Sequence, residues 1–385
     1  MEPVVITGIG VVSPLGNSLA ELTRRFAAGA HTPVAVDDEQ VLAAAIPADK
    51  RARIGRLDRL CRFFLAATYR AVGAAGLTIT PESAERTGIS FGTGLGCYQV
   101  DADYNRKVLE HGPATASPRL FAYTVSSAAA GEVSIAFGIT GPNVTAHMGF
   151  AAGLGAVGYG FDLIQMGKAD VVLAGGADVV GPALLEALSD MQLLRTAGTA
   201  PGRPGVVPAE AAAVAVLERR DRAQARGARC WGRIDGYAAG FEPSLTTAQP
   251  QTGGIAAAMQ RAIDMSGHAA VDVGLVMSSA HGTAVDQVER AALTHALSAN
   301  AAALVVSPKN VLGETFGASG AVALALGLGL MQDRPPLAEG LGSAVTGATL
   351  SGATAASGLH HARVVMVNSL CYSGNIVSLL ATCEA

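Results

Sequence analysis

The sequence has little charge and few aromatic side chains. Only 15% of its 385 residues are charged and 5% are aromatic, whereas 50% are hydrophobic and 47 are glycine. Globular proteins usually have about 25% charged residues, so this chain has less charge to distribute over its surface than most. We therefore expect buried helices that pack through small residues, sheets covered on both faces, or a wide subunit interface.

Features that would indicate several other classes of protein are missing. The net charge of −4 gives no reason to expect a nucleic-acid partner. The five cysteines lack the paired spacing of a zinc site, and their odd number does not suit a disulfide framework. The opening residues Met1 to Pro3 lack the basic stretch of a signal peptide. We predict a cytoplasmic protein without a metal or another cofactor.

Two long uncharged runs raise the question of a membrane span. Residues 133–161 contain no acidic or basic side chain, but Gly141-Pro142-Asn143 interrupts the run. Residues 317–332 are also uncharged, but they are short and rich in glycine. A spanning helix needs roughly 20 unbroken apolar residues. Both runs therefore predict buried elements, and we expect no membrane association.

The hydrophobic pattern predicts an α/β protein made of two similar halves. Gly8-Ile9-Gly10 is not a dinucleotide motif, because Ser13 stands where the third glycine would fall. A helix with a basic face is expected over 50–70. We predict halves at 1–228 and 229–385 that pack as one body. Buried strands are expected at 4–12, 87–91, 170–176, 211–217, 273–277 and 363–368, and small-residue helices at 151–167 and 317–331.

Short motifs along the whole chain resemble those of the β-ketoacyl carrier-protein synthases, and they occur in the order seen in that family. The resemblance implies a thiolase-like fold, with five αβαβα layers built from two similar halves, and an obligate dimer. The motifs are Val5-Ile6-Thr7-Gly8-Ile9-Gly10, Ser13-Pro14-Leu15-Gly16, Gly141-Pro142-Asn143, Gly175-Gly176-Ala177-Asp178, Ala280-His281-Gly282-Thr283, Lys309, Gly313, Gly317-Ala318-Ser319-Gly320 and Asn368-Ser369.

Active members of this family carry a Cys-His-His site, and two of its three positions differ here. The cysteine stands seven residues after the Gly-Pro-Asn turn, where this chain has Phe150. A phenyl ring has no lone pair with which to attack a thioester. The first histidine is retained as His281, but the second position holds Glu314. A carboxylate there would repel the enolate charge that forms when a malonyl unit loses CO2.

With this degenerate site, the resemblance implies a chain-length factor, the non-catalytic partner of a type II polyketide ketosynthase. Such a subunit forms a heterodimer with the active ketosynthase and shapes the acyl tunnel that limits product length. The acyl carrier protein would dock mainly on the active partner. The implied tunnel residues are Leu95, Leu120 and Phe121. Many such factors have glutamine at the cysteine position, so Phe150 gives no support for a decarboxylating role.

Other interpretations stay open at this point. Cys97 or Cys371 could replace the missing nucleophile in a diverged acyltransferase or condensing enzyme. A homodimer that binds acyl chains without chemistry is a further alternative. Phe150 either gates a tunnel or fills the core, and Lys309 is the expected partner of Glu314 because an unpaired buried carboxylate is costly. The basic residues in 50–70 either help to dock an acidic carrier protein or form a solvated helix face.

Overall fold

The computed structural model describes residues 2–30, 35–195, 205–246, 250–280, 283–300 and 302–384. The strands in these ranges are β1 Val4–Val12, β2 Thr87–Gly92, β3 Asn143–Ala146, β4 Val171–Asp178, β5 Ala211–Arg219, β6 Gly232–Phe241, β7 Val273–Met277, β8 Leu304–Val306, β9 Gly342–Ala344, β10 Val364–Leu370 and β11 Asn375–Cys383. The α-helices are α1 Leu19–Ala27, α2 Asp38–Ala45, α3 Arg51–Ile54, α4 Arg59–Ala74, α5 Pro81–Ala84, α6 Tyr98–His111, α7 Pro118–Phe121, α8 Ala128–Phe137, α9 Ala152–Gln165, α10 Pro182–Asp190, α11 Arg220–Ala225, α12 Gly253–Ser266, α13 Ala284–Ala296, α14 Lys309–Leu312, α15 Ser319–Asp333 and α16 Gly352–His361.

The strands join in one sheet whose two halves repeat the same pattern. The order is β3-β2-β4-β5-β1-β6-β11-β10-β7-β8-β9, and β1 meets β6 through antiparallel pairing of residues 4–6 with 232–234. Counted outward from this junction, β1-β5-β4-β2-β3 matches β6-β11-β10-β7-β8 in its sequence of parallel and antiparallel neighbours. The predicted division after residue 228 falls just before β6 and stays a prediction.

The helices form three layers around the two halves of the sheet. Helices α9 and α15 pack against each other and against strands of both halves, in a core cluster that includes Leu154, Val157 and Leu326. Helices α4 and α8 cover the outer face of the first half, and α12 and α13 cover the second. The αβαβα arrangement is therefore confirmed.

Within the described ranges, one helical stretch is long and apolar enough to cross a membrane by length and composition, namely Phe316–Asp333. In the structure 89% of that stretch is buried inside the protein. It includes α15, in which every residue from Ser319 to Met331 is buried. The stretch is thus a central core helix of this fold, and its uncharged composition follows from its position between two sheet halves.

The sequence interpretation was wrong at two places. The single basic helix expected over 50–70 is two helices, α3 and α4, because the Asp58 side chain accepts a hydrogen bond from the Leu60 N–H and begins a new helix. Asn143 was expected only in a turn, but it begins β3, the strand at one edge of the sheet. That edge strand leads directly to Phe150.

Candidate functional site

Phe150 lies in a short 3-10 turn, Gly149–Ala151, between β3 and α9. Gly149 has φ +56, and a Cβ atom there would lie 2.3 Å from Cys371 Sγ, so the position requires glycine. The hydroxyls of Ser319 and Ser369 donate to the Phe150 carbonyl at 3.2 and 2.9 Å. These bonds tie the turn to α15, a helix of the central layer, and to β10, a strand in the second half of the sheet.

The ring of Phe150 packs among aromatic and apolar side chains. It makes edge-to-face contacts with Phe316 at 5.4 Å and Tyr372 at 5.8 Å between ring centroids, an arrangement that stabilises by about 0.5–1.5 kcal/mol per pair beyond area burial. Lys309 Nζ lies 5.6 Å from the Phe150 centroid. We refer to the surrounding side chains as the Phe150 cluster, which comprises Leu95, Phe150, Val180, Leu184, Leu188, Leu193, Leu194, Val206 and Phe316.

Glu314, which the sequence analysis assigned to the second histidine position, makes a buried ion pair. Its Oε2 lies 2.7 Å from Lys309 Nζ, and its Oε1 accepts a hydrogen bond of 2.8 Å from the Phe316 N–H. The side chains of Lys309 and Glu314 are 6% and 0% exposed. Since a buried charge requires compensation, this pairing is the arrangement expected from the sequence. The carboxylate is held in structural bonds and supplies no proton donor of the kind that histidine offers.

A second buried carboxylate, Glu289 on α13, lies near the ion pair. It accepts hydrogen bonds from the Ser278 hydroxyl at 2.8 Å and the Ser279 N–H at 2.9 Å. Burial raises the pKa of Glu289 to about 7, although Lys309 acts in the opposite direction. The sequence analysis missed this residue. Its position on the apolar face of α13, beside Val285 and Val288, is the signal that would have indicated a buried acid.

Asp178, at the end of β4, holds two distant loops together. Its carboxylate accepts hydrogen bonds from the Thr93 hydroxyl and from the N–H groups of Gly94, Leu95 and Gly317. Burial raises the pKa of Asp178 to about 6 against the opposing effect of these four donors. The carboxylate thereby positions Leu95, which the structure places in the Phe150 cluster.

The other two tunnel candidates lie apart from the Phe150 cluster, on α7. Phe121 is 62% exposed and its ring centroid lies 5.9 Å from that of Tyr104 on α6. Leu120 is half-buried. In the isolated chain, Phe121 is therefore part of a surface, and its role in a tunnel stays a prediction that requires a partner. Tyr104 is a neighbour that the sequence analysis did not identify.

The remaining candidates were the retained histidine and two cysteines. His281 lies outside the described residues. The Cys97 thiol donates to Asp101 Oδ2 at 3.1 Å, and burial together with this bond raises its pKa, which disfavours the nucleophilic thiolate. Cys371 is buried against Gly149. Among the residues that the structure describes, there is no group of three or more His, Cys, Asp or Glu side chains that could hold a metal ion.

The layered fold, with Phe150 at the start of the central helix, defines a thiolase-like protein of the ketosynthase type. Residues 34–223 match the family model of the β-ketoacyl synthase N-terminal domain, and residues 231–335 match that of the C-terminal domain. The chain belongs to the β-ketoacyl synthase family. It is 30% identical to a 3-oxoacyl-[acyl-carrier-protein] synthase 2 of Synechocystis, over 86% of each chain, and 31% identical to one of Staphylococcus aureus, over 83% of each.

Solved structures similar to this chain include ketosynthase complexes. The ishigamide ketosynthase/chain length factor has a TM-score of 0.84 at 25% identity, with both chains fully covered. A ketosynthase (ApeO) in complex with its chain length factor (ApeC), from Xenorhabdus doucetiae, has a TM-score of 0.80 at 21% identity, covering 100% of this chain and 98% of that one. At 21% identity, the second likeness shows the fold alone.

Proposed function

We propose that this chain is a chain-length factor, the non-catalytic partner of a type II polyketide ketosynthase. The observation that carries the proposal is Phe150, which occupies the position of the family nucleophile and is packed between Phe316 and Tyr372. A ring in this setting cannot form a thioester with an acyl chain. The buried Lys309–Glu314 pair supports the same conclusion, since it replaces a histidine donor by a compensated carboxylate.

The similarity to the ishigamide ketosynthase/chain length factor supports this proposal over full length. The curated relatives, named 3-oxoacyl-[acyl-carrier-protein] synthase 2, favour the alternative of a condensing enzyme. That alternative requires another nucleophile. Cys371 is a candidate, because its Sγ lies against Gly149, the neighbour of Phe150.

A heterodimer is supported by exposed apolar side chains near the edge strand β3. Strand β3 lies at the edge and has a neighbour, β2, on one side. Nearby in sequence, Phe121, Val125 and Ile135 are 62%, 53% and 67% exposed. An unpaired edge strand and exposed apolar side chains on adjoining segments favour association with a partner chain. We propose the homologous ketosynthase as that partner, with the carrier protein docking mainly on the ketosynthase.

The function is tested by acyl loading of the reconstituted pair. The chain is co-expressed with a homologous ketosynthase that has the Cys-His-His site, incubated with acyl carrier protein loaded with a short acyl chain, and examined by intact-mass spectrometry. We expect the adduct on the ketosynthase and none on this chain. Phe150→Cys should not give a condensing subunit, because Glu314 still occupies the second histidine position. An acyl adduct on the unmodified chain, abolished by Cys371→Ala, would contradict the proposal and favour the condensing-enzyme alternative.

A further inference from the structure

Three polar side chains meet beside the loop that carries Leu95. Ser126 Oγ lies 2.9 Å from His147 Nε2 and 3.7 Å from Cys97 Sγ. Gly96, with φ +59, makes room for them, since a Cβ there would lie 2.5 Å from Ser126 Oγ and 2.9 Å from His147 Nε2. We call Cys97, Ser126 and His147 the Ser126–His147 site.

The Ser126–His147 site lies on the surface proposed for the partner. His147 is exposed and directly follows the edge strand β3, and Ser126 directly follows the exposed Val125. Cys97, which immediately precedes α6, and Asp101 and Tyr104 on α6 are spaced by four and three residues, so they lie on one face of this helix. Cys97 contacts Ser126 near one end of that face, and Tyr104 contacts Phe121 further along it. The polar site and the aromatic pair thus form one strip.

The Ser126–His147 site can form hydrogen bonds for which a purely apolar acyl chain has no matching group. Among the described residues, His147 makes one hydrogen bond, to Ser126, so its second ring nitrogen depends on water in the isolated chain. Covering the strip with a partner removes that water, and a buried polar group without a partner is costly. The hydrocarbon part of a saturated or polyene acyl chain supplies no hydrogen-bond acceptor, whereas an acyl chain that retains a ketone or hydroxyl oxygen supplies one.

We propose that the Ser126–His147 site binds an oxygenated segment of the growing acyl chain, so that the substrate class is an incompletely reduced β-keto or β-hydroxy chain. This inference rests on the proposed chain-length role, since it requires the partner's acyl chain to reach this subunit. The growing chain supplies the oxygen, while Ser126 and His147 supply the hydrogen bonds beside the apolar lining of Leu95, Tyr104 and Phe121. A polar side chain of the partner is the competing way to satisfy the site.

The test uses the heterodimer and synthetic acyl thioesters as probes. Pairs of thioesters have equal carbon number, one fully saturated and one with a single ketone whose position is varied along the chain. Each pair competes at equal concentration for the partner's cysteine, and intact-mass spectrometry gives the ratio of the two adducts. We expect one ketone position to be preferred by about three- to tenfold, the range given by one hydrogen bond.

His147→Leu and Ser126→Ala should reduce that ratio to near one, whereas His147→Gln, which keeps a hydrogen-bonding side chain, should retain part of it. Ser127→Ala, at the exposed neighbouring serine, is the matched control and should leave the ratio unchanged. A preference for no ketone position, or one that survives His147→Leu, would overturn the inference and favour a partner side chain at the site. Failure of the two chains to co-purify, recorded before any loading, would instead overturn the proposed function, and the inference with it.

Discussion

At the scale of single residues, two of the side chains that the sequence analysis assigned to the catalytic positions are packed into the protein interior. Phe150 contributes a ring to the Phe150 cluster, and Glu314 contributes a charge that compensates Lys309. Glu314 also accepts the N–H of Phe316, which has a positive φ of 51 that non-glycine residues seldom adopt. Phe150 and Glu314 therefore each have a structural role, which replacement by cysteine or histidine would remove.

Glu314→Gln should destabilise the protein strongly, because it leaves the Lys309 ammonium buried without its opposite charge. Breaking a buried ion pair by removing one partner costs about 3–5 kcal/mol. The measurement is the free energy of unfolding of the heterodimer in denaturant. Glu186→Gln, at an exposed position, is the control. Equal stability of the two variants would show that the pair does not support the core.

Glu289 predicts a pH dependence of stability. Its pKa is raised from 4.5 to about 7 by burial, so the folded chain keeps a proton that the unfolded chain releases over this interval. The free energy of unfolding should therefore fall as pH rises from about 4.5 to 7, by on the order of 3 kcal/mol from this group. Glu289→Gln keeps both hydrogen bonds, because its amide can donate to Ser278 and accept from the Ser279 N–H. The variant should show a shallower slope between about pH 4.5 and 7, and an unchanged slope would contradict the assignment.

At the scale of elements, the sequence predicted those positions that depend on local spacing. Counting from Gly141-Pro142-Asn143 placed Phe150 at the start of the central helix, and Glu314, directly after Gly313, was expected to pair with Lys309. The sequence did not predict that the Asp178 carboxylate would accept hydrogen bonds from both Leu95 and Gly317, because those contacts depend on tertiary packing between distant loops. Strand β3 was missed because its four residues are recognisable as a strand only through their pairing with β2.

The edge strand β3 is expected to take part in assembly of the heterodimer. The N–H groups of Ile89 and Thr93 donate to the carbonyls of Pro142 and Ala146, at 2.8 and 3.1 Å. Backbone groups alternate in direction along a strand, so those of Thr145 point toward the free edge. Thr145→Pro removes that outward N–H and should abolish co-purification with the ketosynthase. Thr145→Val removes the hydroxyl but keeps the N–H, and it should retain binding; binding by both variants would exclude pairing through this edge.

At the scale of the whole molecule, the low charge of the sequence corresponds to two apolar regions of the structure. One is the central layer, where α9 and α15 are enclosed by both halves of the sheet. The other is the exposed apolar surface formed by Phe121, Val125 and Ile135 next to β3. Composition predicted that such surfaces exist. It could not divide them between core and interface, because that division depends on which faces the fold leaves uncovered.

We propose above that this non-catalytic subunit limits the length of the acyl chain that its ketosynthase partner makes. A growing acyl chain stops when further carbons would overlap the side chains that close the tunnel, and overpacking of about 1–3 kcal/mol changes the odds of elongation by about five- to 150-fold. Leu120→Ala or Phe121→Ala should therefore lengthen the product by at least one two-carbon unit, and Leu120→Trp should shorten it. Leu109→Ala, at a site that is 84% exposed, is the control.

The deciding measurement is the product-length distribution of the reconstituted pair, read by mass spectrometry alongside the acylation of the ketosynthase. We predict longer products from the two alanine variants and shorter products from Leu120→Trp, with ketosynthase acylation and heterodimer yield unchanged in all of them. A distribution that stays the same in all three variants, while the heterodimer remains intact, would show that Leu120 and Phe121 do not set product length.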